Sequence, residues 1–139
     1  MTGLEIIIRL DNDRRLYYPG ERLTGEFHIE SLSLVEPQAI ELSALWYTEG
    51  QGDEDLAVHH FERFAKDNGS LADARRPRRF STTLPNSPLS YDGILVRIFW
   101  CARVRVFLAG GKEMVAEEPF RLGDVPRVMV ATAEEETAP

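Results

Sequence analysis

Two adjacent histidines, His59 and His60, follow the acidic stretch Asp53–Asp55, and this segment is the best metal-binding candidate in the sequence. Imidazole and carboxylate groups ligate zinc, which would support a metal-dependent ligand-binding or hydrolytic protein. Adjacent residues of a strand point to opposite faces, however, so the two imidazoles would not share one ion, and their spacing matches no usual ligand motif. We therefore expect no bound metal or cofactor, and the metal-dependent protein is kept as an alternative.

A second set of candidates consists of the only cysteine, Cys101, and of His28, which lies between Glu26 and Glu30. Arg103, on the same strand face as Cys101, would lower the pKa of its thiol, whereas burial would keep the thiol inert, and we expect an inert thiol. His28 marks either a pH-sensitive spot or an ordinary polar strand face, and we favour the polar face. Because the sequence lacks a nucleophile elbow, a phosphate loop and a dinucleotide fingerprint, we predict that the protein is not an enzyme.

Arginines form a third set of candidates, and four of them crowd around Pro77. Such a charge run is either a solvated loop or a patch that binds an anion or an acidic partner. Three further arginines alternate along a later strand-like run. There they would either line a concave binding surface or pair with the glutamates Glu26, Glu30 or Glu41 on neighbouring strands. The candidates for partner binding are therefore Arg75, Arg76, Arg78, Arg79, Arg97, Arg103 and Arg105.

The composition limits the partners and the location of the protein. A net charge of −7 argues against nucleic acid as the partner, because a polyanion would be repelled. The single cysteine excludes an intramolecular disulfide, no apolar run is long enough for a membrane helix, and the N-terminus lacks a signal pattern. We therefore predict a cytoplasmic protein without an integral membrane segment, and the excess of arginine over lysine indicates a bacterial source.

The elements that position these candidates are β-strands, because apolar residues recur at every second position. Between Ile94 and Leu108 one alternate set of residues is entirely apolar, and the other set is mixed. A helix would scatter the apolar residues around its circumference, whereas a strand places them all on one face. The run exceeds the usual strand length, so we expect a bend or bulge within it. The apolar positions are Ile94, Val96, Ile98, Trp100, Ala102, Val104, Val106 and Leu108.

Shorter alternating runs fill most of the remaining chain and are separated by turn sequences. Pro19-Gly20 predicts a type II turn, and Gly110-Gly111 predicts a tight hairpin. The segment Asp55–Lys66 fits either a helix or a strand, and we favour a strand because its neighbours are strands. Seven or eight strands with frequent turns predict an all-β sandwich or barrel. We expect one domain over residues 1–125 and an acidic, disordered tail over residues 126–139.

Two stretches of the chain together resemble the N-terminal domain of the arrestin family. The first, Tyr18–Phe27, contains Tyr-Pro-Gly-Glu followed by Gly25, as in the turn after the family's first strand. The second, Phe80–Gly93, contains a Leu-Pro step, a further proline and Ser-Tyr-Asp-Gly, and it runs into the long strand as the family's loop does. Glu117–Phe120 occupies the place of the family's closing strand, so that the resemblance covers residues 4–124.

The resemblance implies an immunoglobulin-like antiparallel β-sandwich of about seven or eight strands that serves as an adaptor and not as an enzyme. The favoured hypothesis is a module for protein–protein interaction that binds partners through exposed sheet edges or loops. The alternatives are the metal-dependent protein described above and a self-assembling structural β-sandwich. Open sheet edges would also permit a homodimer formed by edge pairing.

Overall fold

The structure, a computed structural model, describes residues 4–31, 37–52, 54–66 and 75–123. The described residues form nine β-strands, of which seven contain six or more residues and two contain two residues each. Two short 3-10 turns, Asp11–Asp13 and Ala109–Gly111, lie between strands. The strands are β1 (Leu4–Leu10), β2 (Leu16–Tyr17), β3 (Arg22–Ser31), β4 (Ala39–Gly50), β5 (Leu56–Ala65), β6 (Arg78–Thr83), β7 (Tyr91–Asp92), β8 (Val96–Phe107) and β9 (Glu113–Leu122).

The strands form two sheets. The smaller sheet has the order β1-β3-β6, and the larger sheet has the order β2-β9-β8-β4-β5, with β7 paired to β8. All pairings are antiparallel except that of β2 with β9, which is parallel over Leu16–Tyr17. The predicted all-β antiparallel sandwich is therefore confirmed. The segment Asp55–Lys66, whose sequence fits either a helix or a strand, contains strand β5 at one edge of the larger sheet.

The hydrophobic core lies between the two sheets and is built from the alternation seen in the sequence. The larger sheet contributes Trp100 and Val104 of β8 and Leu42 of β4, and the smaller sheet contributes Leu23 and Phe27 of β3. All of these side chains are buried. Each fully buried side chain of this size stabilises the fold by roughly 1.5–3 kcal/mol relative to exposure. The face of the larger sheet directed away from this core is called the outer face below.

The long strand differs from the prediction in two respects. It begins at Val96, and Ile94 at its predicted start is fully exposed, because the residues before Val96 form a turn outside the sandwich. It also contains no bulge: its register with β4 runs without a shift from Ala39 opposite Phe107 to Gly50 opposite Val96. Its unusual length is accommodated because β4 is equally long and supports it throughout. A register shift occurs instead between β4 and β5.

Two predicted turns are present. Glu21 donates its backbone N–H to the carbonyl of Tyr18 at 3.0 Å, and Gly20 has a φ of 84°, as the third position of a type II turn requires. The β8–β9 connection contains Gly110 and closes with a bond from Leu108 N–H to the Lys112 carbonyl at 2.8 Å. Among the described residues no helix has the length and apolar character needed to cross a membrane. The predicted tail at 126–139 and Asp53 lie outside the described residues.

Candidate protein-interaction surface

A β-bulge at His59 determines which side chains of β5 reach the outer face. Ala44 of β4 pairs with His60, but the next residue, Leu45, pairs with Val58, so His59 is an extra residue in β5. The bulge reverses the alternation of the strand at this point. Without it, residues 56 and 58 would lie on the face opposite to residue 61. With it, all three lie on the same face.

The result is a row of apolar side chains on the outer face at the edge of the larger sheet, called the apolar strip below. It consists of Leu56, Val58 and Phe61, whose exposed fractions are 52%, 50% and 51%. Simple alternation places these residues on different faces, so the sequence alone does not predict that they form one surface. The only signal in the sequence for a common face was the spacing of these apolar residues, which are first two and then three positions apart. Contiguous exposed apolar surface of this kind marks interaction sites on proteins.

The apolar strip continues inward across the outer face. Leu45 of β4 lies beside Val58 in the register and is almost fully buried, although it points away from the core. Tyr47 and Phe99 stack with their ring centroids 5.4 Å apart and are half-buried. This half of the outer face is therefore apolar and well packed, which favours a surface that is already ordered before a partner binds.

The other half of the outer face carries an ion-pair ladder that crosses four strands. Arg63 of β5 lies 3.5 Å from a carboxylate oxygen of Glu41 on β4, and Arg105 of β8 lies 3.9 Å from the other oxygen of the same carboxylate. Arg105 also donates to Glu113 of β9 at 2.6 Å. Each exposed pair contributes little to stability, but the charges compensate one another. The ladder leaves this half of the face without an unbalanced positive charge.

The arginines of β8 that were candidates for partner binding are thus paired mainly with glutamates of β9. Arg103 donates to Glu117 at 2.7 Å, and Arg97 lies 3.6 Å from Asp92 of β7. Of the glutamates considered from the sequence, Glu41 takes part and the two on β3 belong to the other sheet. The structure places Arg103 and Arg105 on one face, as the alternation predicts, and leaves Arg97 exposed near one end of the strand.

The four arginines around Pro77 are not brought together. Arg78 and Arg79 are neighbours in β6 and point to opposite faces of the smaller sheet. The guanidinium of Arg78 lies 4.7 Å from the centroid of the Phe64 ring, whereas Arg79 donates to both carboxylate oxygens of Asp11, at 2.9 Å for one of them. These hydrogen bonds lower the pKa of Asp11. Arg75 and Arg76 are exposed in the turn before β6.

The two adjacent histidines make separate hydrogen bonds. The His59 ring nitrogen Nε2 lies 2.7 Å from the carbonyl oxygen of Thr83, which can only accept, so Nε2 carries the proton and donates. His60 Nε2 lies 2.8 Å from a carboxylate oxygen of Glu62. The described residues contain no group of three or more side chains arranged to hold a metal ion. His28 bonds Glu30 at 3.2 Å on the polar face of β3.

Cys101 lies on the outer face beside Leu45 and is buried. Burial first, and then the carboxylate of Glu117, raise the pKa of its thiol from 9.0 to about 12, while the guanidinium of Arg103 opposes both. Burial therefore outweighs the neighbouring cation, and the thiol stays protonated at neutral pH. The expectation of an inert thiol agrees with this geometry.

We expect the thiol of Cys101 to resist a disulfide reagent in the native protein near pH 8 and to react stoichiometrically after unfolding in guanidinium. Because the folded pKa of about 12 exceeds the ordinary value of 9.0, the thiol ionises first in the unfolded chain, and the folded protein loses stability as the pH rises from 9 toward 12. Denaturant melts across this window measure the slope, and Cys101→Ala should remove the part that this thiol causes. Rapid modification of the native protein would contradict the burial of the sulfur.

The comparisons with known proteins agree with the fold. No protein-family model matches the chain, and no curated protein matches it. The crystal structure of Spo0M, a sporulation control protein from Bacillus subtilis, superposes with a TM-score of 0.67 at 16% sequence identity. The match covers 98% of this chain and 56% of the Spo0M chain, so that this chain spans about half the length of that neighbour. Because Spo0M has an arrestin-like fold, the arrestin-like sandwich inferred from the two sequence motifs is supported.

Proposed function

We propose that this chain is a non-enzymatic module for protein–protein interaction of the arrestin-like type, and that it binds a protein partner through the apolar half of its outer face. The observation that carries the proposal is the apolar strip, three half-exposed side chains of an edge strand on an ordered sheet face. Surface of this kind loses water favourably when a partner covers it.

The polar groups considered for chemistry support the same conclusion. The histidines bond a backbone carbonyl and a neighbouring glutamate, the thiol is buried, and the arginines of β8 pair with carboxylates. A role in control is consistent with the name of the structural neighbour, a sporulation control protein. The single free cysteine suits a reducing compartment such as the cytoplasm, and the arginine-rich composition suits a bacterial source.

Site-specific photocrosslinking tests the location of the binding surface. A photoreactive phenylalanine analogue replaces Tyr47, next to the apolar strip, or Phe107, an aromatic residue at the far end of the same outer face. We expect cross-linked products with another protein at position 47 and not at position 107. Phe61→Ser should reduce the yield at position 47 at least about fivefold, because a central apolar contact is lost. Equal cross-linking at both positions, or none at position 47, would contradict the proposal.

A further inference from the structure

The backbone of β5 has one paired side and one open side. Lys66 donates its N–H to the Gln38 carbonyl at 3.1 Å at one end of β5, and Thr48 donates its N–H to the Asp55 carbonyl at 2.9 Å at the other end. These two bonded pairs determine which residues of β5 direct their backbone groups toward β4. Antiparallel pairs alternate between bonded and non-bonded. Between residues 56 and 63, the backbone groups of four residues therefore turn outward, and within the described part of the chain no strand lies beyond them: Leu56, Val58, Phe61 and Arg63.

The bulge at His59 gives these outward groups an irregular spacing. They occur in steps of two, three and two residues, because His59 and His60 both face β4 at the bulge. A regular strand offers bonding groups at every second residue only. Such a strand matches either the first two outward residues or the last two, and it cannot match all four.

We propose that the strand that fits this edge is β5 of a second copy of the chain, paired antiparallel about a two-fold axis. In the matching register, Leu56 lies opposite the second copy's Arg63, and Val58 lies opposite the second copy's Phe61. All four outward residues then meet outward residues, because both strands carry the same bulge at the same place. The interface is isologous and closes after two copies. The bulge thus makes an open edge selective for its own kind.

The side chains agree with this register. Val58 and Phe61 of both copies form one apolar cluster across the axis on the outer face, where each of them is half-exposed in the single chain. The aliphatic stem of Arg63 lies beside Leu56 of the other copy at each end, while its guanidinium keeps its pair with Glu41 of its own chain. Like charges are not placed opposite each other. The pairing deepens the proposed function, on which it rests for the role of the apolar strip, because it joins two strips into one continuous surface.

Sedimentation equilibrium of the purified full chain tests the dimer. We expect a concentration-dependent dimer, and Val58→Lys should raise its dissociation constant about tenfold or more, since the isologous interface contains the change twice. Val115→Lys is the matched control, because Val115 is 49% exposed on the outer face of β9, which β8 and β4 separate from β5. A wild-type chain that stays monomeric at all attainable concentrations would overturn the inference. An equal effect of both lysines would also overturn it.

A second pair of variants tests the register. Leu56→Glu would meet the second copy's Arg63, whereas Leu56→Arg would place like charges opposite each other. We expect Leu56→Glu to bind its own copy about tenfold more tightly than Leu56→Arg, because each contact occurs twice. Circular dichroism confirms that both variants are folded. Identical dissociation constants for the two variants would exclude this register.

Amide hydrogen exchange gives a readout that does not depend on any variant. The outward amides of Val58, Phe61 and Arg63 should be slowed as the protein concentration rises, while the inward amide of Glu62 should not respond. Unchanged exchange at the three outward amides would contradict edge pairing.

A monomeric chain that still cross-links another protein at position 47 would refute the dimer and retain the proposed function. A dimer without such cross-linking would retain the dimer and refute the proposed function.

Discussion

Trp100→Ala is expected to lower the free energy of unfolding by about 3–5 kcal/mol. The side chain is 1% exposed and lies in the core face of β8, with its ring centroid 5.8 Å from that of Phe120. Its indole N–H donates to the carbonyl of Pro88 at 2.7 Å. Truncation therefore leaves a large cavity at the centre of the larger sheet and an unpaired carbonyl in the loop that leads into β8.

The two contributions of Trp100 can be separated. Trp100→Phe keeps one six-membered ring in the core and loses the hydrogen bond with part of the buried volume, so we expect it to cost about 1–3 kcal/mol. Leu95→Ala, at a position that is 62% exposed, is the control and should lie within about 0.5 kcal/mol of the wild type. Urea unfolding followed by far-ultraviolet circular dichroism measures all three variants. A loss below about 1.5 kcal/mol for Trp100→Ala would show that this core packs differently from the structure described above.

Gly25→Ala is expected to destabilise the smaller sheet by about 2–3 kcal/mol, at the upper end of the usual cost of overpacking. Gly25 lies in the middle strand of that sheet, opposite Leu10 and Phe80. A Cβ atom there would lie 2.5 Å from the carbonyl oxygen of Arg9 and 2.8 Å from the ring of Phe80. The carbonyl belongs to the β1–β3 ladder and cannot retreat without breaking it.

The matched control for this variant is Gly93→Ala. The three atoms nearest to a Cβ atom at Gly93 all belong to the side chain of Tyr91, which is 54% exposed and is able to turn away. We expect thermal melts to show a much smaller loss for Gly93→Ala than for Gly25→Ala. Combining Gly25→Ala with Phe80→Leu should not restore full stability, because the clash with the Arg9 carbonyl remains. Full rescue by that pair would contradict the assigned cause.

The sequence was sufficient to predict the architecture, because strand faces depend on a local period. The alternation from Trp100 to Leu108 predicted a core face that the structure confirms, and the two arrestin-like motifs predicted the type of sandwich. A glycine inside a strand usually marks a bulge or a close backbone approach, and Gly25 of β3 has the close approach. Each of these features requires only neighbours in sequence or a motif of fixed spacing.

The interaction surface was harder to predict, because it depends on irregularity and on strand order. One extra residue, His59, decides that Val58 and Phe61 share a face, and simple alternation gives the opposite result. The partners of Arg103 and Arg105 lie on β9, and strand order cannot be obtained from the period of any single strand. The separation of Arg78 from Arg79, by contrast, follows from their adjacency in a strand and was available from the sequence.

The extra residue in β5 also has a consequence for how this gene can change. Loss of the single codon for His59 would leave the core faces of the sandwich as they are, since residues on both sides of the bulge already pair in the correct register with β4. The open edge, however, would then present its bonding groups at every second residue, and any extended chain would fit it. Such a deletion would turn an edge that is selective for its own copy into one that pairs with any exposed strand, which is a site of non-specific association. One in-frame codon therefore separates selective pairing from indiscriminate edge pairing.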